Sequence, residues 1–376
     1  WVDGRKNIFN QIQSKINPND KIAWFHCASL GEFEQGKPVI EGFKQKHSDF
    51  KILVTFFSPS GYELRKNYEG ADYVFYLPID TKKNAKKFIA IIQPKIAFFV
   101  KYEFWFHYLK ELHQQQIPTY LISGVFRENQ LFFKWYGTWY KKMLHYFTHF
   151  FVQNTESETL LKKIGFNNIT VSGDTRFDRV FENSLNTIKL PIIEAFKSNK
   201  QIIIGGSSWQ AEEKILANYF LNQTANFKLI IAPHNIAESH IKQIEALFKG
   251  KCIRYSKANE QNILNENVLI IDNIGILANT YQYTDIAFIG GGFTGALHNI
   301  LEPCSFGNLI VFGPNHQKFH EAQELINNGS AFIINNETDF NKIISKNLSN
   351  LNEIKKLNKG YIANNKGATN IILNFL

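Results

Sequence analysis

From Lys21 onward, short apolar runs rich in β-branched and aromatic residues alternate with amphipathic, more polar stretches. Lys21–Cys27, Lys51–Ser58, Tyr73–Leu77, Ile96–Val100, Thr119–Val125 and Phe150–Gln153 read as strands. Each is almost continuously apolar, as strands are when helices cover both faces of a parallel sheet. Glu32–Gln45, Thr81–Ile92, Glu103–Gln114 and Thr155–Ile164 supply helices between them. The pattern starts again after Leu190-Pro191, with strands at Gln201–Ile204, Lys228–Ala232, Val268–Ile271, Asp285–Ile289, Leu309–Phe312 and Ala331–Ile334. The expected fold is α/β, with two Rossmann-like, doubly wound parallel-sheet domains facing a central cleft. Their expected bounds are 1–178 and 179–350, with Arg176–Lys200 as linker and a helical tail, 351–376, packing back on the first domain.

Composition agrees with two ordinary cores: 376 residues, 44% hydrophobic and 20% charged. Lys plus Arg number 42 against 33 Asp plus Glu, so the surface attracts anions: a nucleic acid, a phosphorylated small molecule or an anionic membrane. Nucleic acid is disfavoured, because the basic residues are scattered and no binding motif is present. Cys27, Cys252 and Cys304 are odd in number and widely spaced, which argues against a disulfide framework or zinc site and for a reducing cytoplasm. The start at Trp1-Val2-Asp3-Gly4 reads as the interior of a longer chain, so a preceding segment, such as an anchor, is expected. Within the sequence no apolar run approaches the roughly 20 residues that span a bilayer.

Candidate chemistry gathers where strands end. Ser29-Leu30-Gly31-Glu32 follows the first strand. The S-x-x-E spacing is that of a capping box, and a carboxylate at a helix start is equally a candidate general base. Glu103, after Ile96–Val100, is a second carboxylate at the equivalent edge, or simply a dipole-satisfying residue opening a helix. Gly205-Gly206-Ser207-Ser208 reads as a turn cradling phosphate through backbone N–H groups and serine oxygens. His234 either joins that edge or caps the next helix. Gly290, Gly292 and Gly295 satisfy G-x-G-x-x-G, but the next strand ends Phe312-Gly313-Pro314 without the acid a dinucleotide ribose requires. Gly291, Gly292 and Phe293 therefore read as part of a mononucleotide site, with His298, Asn299 and Glu302 beside them. His26 and Cys27 point to opposite faces and form no catalytic pair. With no D-x-D, H-E-x-x-H or P-loop pattern, no metal and no cofactor are expected.

Taken in order, Ser29-Leu30-Gly31-Glu32, Glu103-Phe104-Trp105, Gly173-Asp174-Thr175-Arg176-Phe177-Asp178, Gly205-Gly206-Ser207, Gly290-Gly291-Gly292-Phe293, His298-Asn299-Ile300-Leu301-Glu302-Pro303 and Phe312-Gly313-Pro314 resemble the 3-deoxy-D-manno-octulosonic acid (Kdo) transferases of lipopolysaccharide assembly. The resemblance implies a GT-B glycosyltransferase moving Kdo from CMP-Kdo to a lipid A precursor of the lipid IVA type, inverting and metal-independent. It also implies a place at the cytoplasmic face of the inner membrane, through an N-terminal anchor. By motif, Glu32 takes the family's base position and Glu103 its second acid. Ser207, Gly291, Gly292, His298, Asn299 and Glu302 fall on its CMP-side positions. The chain departs from the family at Lys101, where a Glu is usual, at Asp174 in place of Asn, and at Val125 in place of Arg, with Arg127 nearby. The alternative is another GT-B enzyme, a transferase or epimerase using a UDP-sugar.

Overall fold

The computed structural model describes residues 5–222 and 227–376. They divide into two compact units, one ending at Arg179 and rejoined by Asn365–Leu376, the other Val180–Asn364.

In the first unit, β1 (Ile22–Cys27), β2 (Lys51–Phe56), β3 (Tyr73–Tyr76), β4 (Ile96–Val100), β5 (Thr119–Gly124), β6 (His149–Val152) and β7 (Ile169–Val171) form a parallel sheet. Its order is β3-β2-β1-β4-β5-β6-β7. The second sheet holds β8 (Gln201–Ser208), β9 (Phe227–Pro233), β10 (Ile253–Arg254), β11 (Val268–Ile270), β12 (Ile286–Ile289), β13 (Leu309–Phe312) and β14 (Ala331–Ile333), again parallel. Its order is β10-β11-β9-β8-β12-β13-β14. The expectation of two doubly wound sheets holds: the first strand order reverses between β1 and β4 and the second between β8 and β12, with β10 lying outside β11.

Period-2 alternation along β1 explains why both faces are apolar. Ala23, Phe25 and Cys27 enter one core with Phe33, Phe43 and Phe98. Ile22 and Trp24 enter the other with Phe88, Phe99 and Tyr108. The Phe25 and Phe98 rings stack at 4.4 Å across neighbouring strands, and Trp24 is fully buried. Each such side chain stabilises the fold by about 2–3 kcal/mol on burial.

Several expectations change. Arg176–Lys200 is not an irregular linker: helices Thr175–Leu185 and Pro191–Lys197 occupy most of it. Phe177 and Val180, three apart, are buried, and Pro191 sits at a helix start where its missing N–H costs nothing. Gly205-Gly206 is not a turn, because β8 continues to Ser208. These glycines answer to packing: a Cβ on Gly206 would lie 2.2 Å from the Tyr281 hydroxyl oxygen, and one on Gly205 2.7 Å from Leu216. Glu103 does not open a helix, since the helix starts at Phe106 after Trp105. The tail is two helices, Leu351–Asn365 and Ala368–Phe375, broken at Gly367, whose φ of 117° favours glycine.

Asp178, within the Gly-Asp-Thr-Arg-Phe-Asp motif, fastens the last helix. Its carboxylate accepts from Gly367 N at 2.5 Å, Thr369 N at 2.9 Å and Thr369 Oγ1 at 2.9 Å. Asp178→Ala is expected to lower stability by about 2 kcal/mol through loss of this cap. Urea denaturation reads the shift, and an unchanged midpoint would show that the cap contributes nothing net.

Candidate functional site

The chemistry-bearing residues of each unit lie at the carboxyl ends of the strands flanking its switch point, where an open α/β sheet has its ligand crevice. In the first unit, β1 ends His26-Cys27 beside β4, with His26 paired to Phe99. The capping box is formed: Glu32 Oε2 accepts from Ser29 N at 2.8 Å and from the Ser29 hydroxyl. Glu32 is half-buried, and its Oε1 makes no bond among the described residues. The cap therefore engages one carboxylate oxygen and leaves the other unengaged among the described residues.

Glu103 stands beyond β4, its side chain 12% exposed. Its Oε2 accepts from Trp105 Nε1 at 2.5 Å and lies 3.3 Å from His26 Nε2. Lys101, with φ 69°, holds a backbone conformation uncommon for a non-glycine residue, of the kind that clusters at working sites. The Lys101 ammonium lies 5.3 Å from the Tyr102 ring centroid and the Arg127 guanidinium 5.8 Å from it, so Arg127 brings charge to the locality where Val125 stands. Burial pushes the Tyr102 hydroxyl up, while Arg127 and Arg176 pull it down. Asp174 is buried and paired with Arg176, Oδ2 to Nη2 at 2.7 Å.

In the second unit, β8 bulges at Ser207, where pairing with β9 shifts register and φ is 50°. The bulge leaves Ser207 half exposed and turns Ser208 inward. Ser208 Oγ donates to the buried Glu213 Oε1 at 3.1 Å, and His240 Nε2 lies 3.0 Å from the same oxygen. Glu212, 1% exposed, accepts from Trp209 N at 3.1 Å and Gly291 N at 3.0 Å. Burial pushes both carboxyls up; the hydrogen bonds they accept oppose it.

Gly291 has φ 85°, and a Cβ on Gly292 would lie 2.4 Å from Gly313 N. The turn and the Phe312-Gly313-Pro314 motif thus explain each other as a direct backbone contact. With the Gly291 N–H taken by Glu212, the N–H groups of Gly292 and Phe293 meet no acceptor among the described residues. Adjacent backbone donors in that state suit an anion. The Phe293 ring packs toward the core.

His234, His298 and Trp209 come together. His234 stacks on Trp209 at 4.7 Å and on His298 at 4.5 Å, and Trp209 Nε1 donates to His298 Nε2 at 3.1 Å. His234 does not cap the next helix, whose N-cap is Ala237. Asn299 accepts from Leu301 N at 3.0 Å, a local turn bond at the start of the Glu302 helix. Glu302 lies close enough to the buried Tyr281 to raise its pKa together with burial. Sequence reasoning missed Trp209, Glu212, Glu213 and His240; the Glu pair in the first turn of the helix that follows a glycine-rich strand end was the available signal.

Residues 4–179 match the family model described as 3-deoxy-D-manno-octulosonic-acid transferase (kdotransferase). A 3-deoxy-D-manno-octulosonic acid transferase of Aquifex aeolicus is 26% identical over 339 residues, covering 88% of this chain and 87% of that one. A bifunctional glycosyltransferase/methyltransferase of Fusobacterium nucleatum is 25% identical over 367 residues; the chain, 94% covered, spans 57% of its length. Among solved structures, UDP-GlcNAc 2-epimerase of Neisseria meningitidis superposes with TM-score 0.63 at 16% identity, covering 94% of this chain and 98% of that one. MurG of Acinetobacter baumannii gives 0.59 at 12%, covering 94% and 98%. These structures show the fold, which is GT-B. The first unit matches the Kdo transferase family model, and relatives described as Kdo transferases align with most of the chain.

Burial, and then His234, lower the His298 pKa from its ordinary 6.5 to about 4. The unfolded chain therefore takes up the proton first: neutral His298 supports the fold above about pH 6.5, and that support is lost as pH falls toward 4. The melting temperature should fall across this window, and less steeply in His298→Gln. Parallel wild-type and variant profiles would show that His298 titrates as in the unfolded chain.

Proposed function

We propose that the chain is a glycosyltransferase that moves Kdo from CMP-Kdo to a lipid A precursor of the lipid IVA type, with inversion and with no metal or cofactor invoked. The observation that carries this reading is the arrangement at Glu32: the cap fixes one carboxylate oxygen and leaves Oε1 unengaged at the end of β1. Glu32 Oε1 takes the proton of the acceptor hydroxyl as that oxygen attacks the anomeric carbon of Kdo. The bond from that carbon to the CMP phosphate breaks, and CMP leaves carrying the electron pair.

Charge growing on the departing phosphate is met by the N–H groups of Gly292 and Phe293 and by the Ser207 hydroxyl. Fixed dipoles of this kind need no reorganisation as the charge develops. Trp209, His234 and His298 offer ring faces to the nucleotide, and Glu302 its carboxylate to the ribose. Glu103 orients the acceptor. Lys101 and Arg127 suit the phosphates of the lipid head group, supplying the charge that the family usually carries at the Val125 position.

The acceptor is amphiphilic, and the first unit has a surface to match. Trp135 is 89%, Tyr136 59% and Trp139 50% exposed, with Lys134, Lys141 and Lys142 interleaved. Aromatic rings with lysines suit an anionic interface, here the cytoplasmic leaflet of the inner membrane. Among the described residues no helix is long and apolar enough to cross a membrane.

Incubation with CMP-Kdo and a lipid A precursor should give a product heavier by Kdo, weighed by mass spectrometry. Glu32→Gln should fold normally and lose transfer by roughly 100-fold or more; near-normal turnover would leave Glu32 as a cap alone. CMP should protect against thermal unfolding better than UDP, and the reverse would favour a UDP-sugar enzyme.

Separately, Trp135→Ser with Trp139→Ser should weaken co-sedimentation with phosphatidylglycerol vesicles while leaving binding of soluble CMP unchanged. Undiminished sedimentation would remove this surface from membrane contact.

A further inference from the structure

Behind Glu103 runs a line of buried groups whose hydrogen-bonding directions are fixed by chemistry. Trp24, His26 and Thr55 are each 0% exposed. Trp24 and His26 share one face of β1, and Thr55 is the β2 residue beside His26. Trp24 Nε1 can only donate, and it lies 2.8 Å from Thr55 Oγ1. Thr55 Oγ1 therefore accepts from Trp24. Its own proton has one neighbouring acceptor among the described residues, His26 Nδ1 at 2.9 Å. A threonine that donates to Nδ1 leaves that nitrogen bare and puts the imidazole proton on Nε2.

His26 Nε2 faces Glu103 Oε2 at 3.3 Å. It has no formed hydrogen bond to any group among the described residues. A bare Nε2 would set a lone pair against a carboxylate, whereas a protonated Nε2 presents a donor. Both arguments give the same tautomer. Phe99 and Trp105 stand edge-on to the imidazole at 5.8 and 5.5 Å and hold the ring plane. Trp105 Nε1 donates to the same Glu103 oxygen. Two donors thus converge on Oε2, and Oε1 makes no bond among the described residues.

We propose that His26 is a positioning residue for Glu103, kept as the neutral Nε2–H tautomer by the Trp24–Thr55 hydrogen bond so that Glu103 presents Oε1 to the acceptor. This deepens, and rests on, the reading of Glu103 as the second acid. His26 does not touch substrate; it acts by fixing which carboxylate oxygen is engaged from behind. Substrate binding closes the 3.3 Å separation into a hydrogen bond, as loose contacts at such sites tighten when loaded.

The test pairs a spectroscopic readout with kinetics. Protein labelled with ¹⁵N-histidine, with the His26 signals identified by their loss in His26→Gln, reports the tautomer through long-range ¹H–¹⁵N correlations. Wild type should show a bare Nδ1 and a protonated Nε2, and near-isosteric Thr55→Val should lose that preference. Thr55→Val should also lower kcat by roughly 10-fold, with KM for CMP-Kdo unchanged. His26→Phe should lose more, and His26→Gln, which can still present an N–H to Glu103, should recover part of the loss. An Nδ1–H or doubly protonated imidazole in wild type overturns the proposal, as does wild-type kcat in Thr55→Val. If Glu103→Gln itself turns over normally, the reading of Glu103 fails and the positioning role fails with it, whatever the tautomer.

Discussion

One constraint shapes both units: a parallel sheet with helices on both faces has no room for polar chemistry except at its strand ends. Trp24, Phe25, Phe98 and Phe99 fill the two faces of the first sheet. Functional groups are thereby confined to the carboxyl edge, and there to the point where the strand order reverses and successive crossovers diverge. The first sheet reverses between β1 and β4, and those strands deliver Glu32 and Glu103. The second reverses between β8 and β12, and those deliver Ser207 and Gly291 to Phe293. Neither pair is close in sequence. Topology alone makes them neighbours.

Working at such an edge requires buried polar groups, and each is costly unless paired. The two units solve this in the same way. Thr55 relays between Trp24 and His26, while Ser208, Glu213 and His240 share one hydrogen-bonded node. Glu212 is the most consequential of these. By accepting from both Trp209 and Gly291 it joins the end of β8 to the turn after β12. Burial pushes its carboxyl up and the two N–H bonds hold it down. The bond to Gly291 leaves Gly292 and Phe293 as the donors of that turn still available to a ligand.

Apolar periodicity made the central strands legible, because β1, β9 and β12 are buried throughout and β4 at all but its first residue. It failed at one edge of each sheet. Ile169–Val171 and Ile253–Arg254 are half-buried along their whole length, so no residue contrast marks them as strands. Spacing also showed Ser29 and Glu32 as a capping box, which needs only local geometry. The Ser208–Glu213–His240 node spans three elements, and the Trp209–His234–His298 stack arises from three strand ends. Long-range groupings of this kind leave no local pattern. Gly205-Gly206 misled for a related reason: glycine required by Tyr281 and Leu216 pressing on a strand looks, in one dimension, like glycine required by a turn.

The capping box at Glu32 looks at first like a complete structural explanation of that residue, which would leave nothing for chemistry. The geometry argues otherwise. A cap consumes one oxygen and, through the bonds from Ser29, holds the carboxylate in place at the start of its own helix. A general base needs that same fixed position and a free oxygen. Ser29 therefore does for Glu32 what Trp105, and in our proposal His26, do for Glu103: each engages Oε2 and leaves Oε1 without a bond among the described residues. Two carboxylates held alike after adjacent strands make positioning, more than acidity, what the first unit would supply to the proposed reaction.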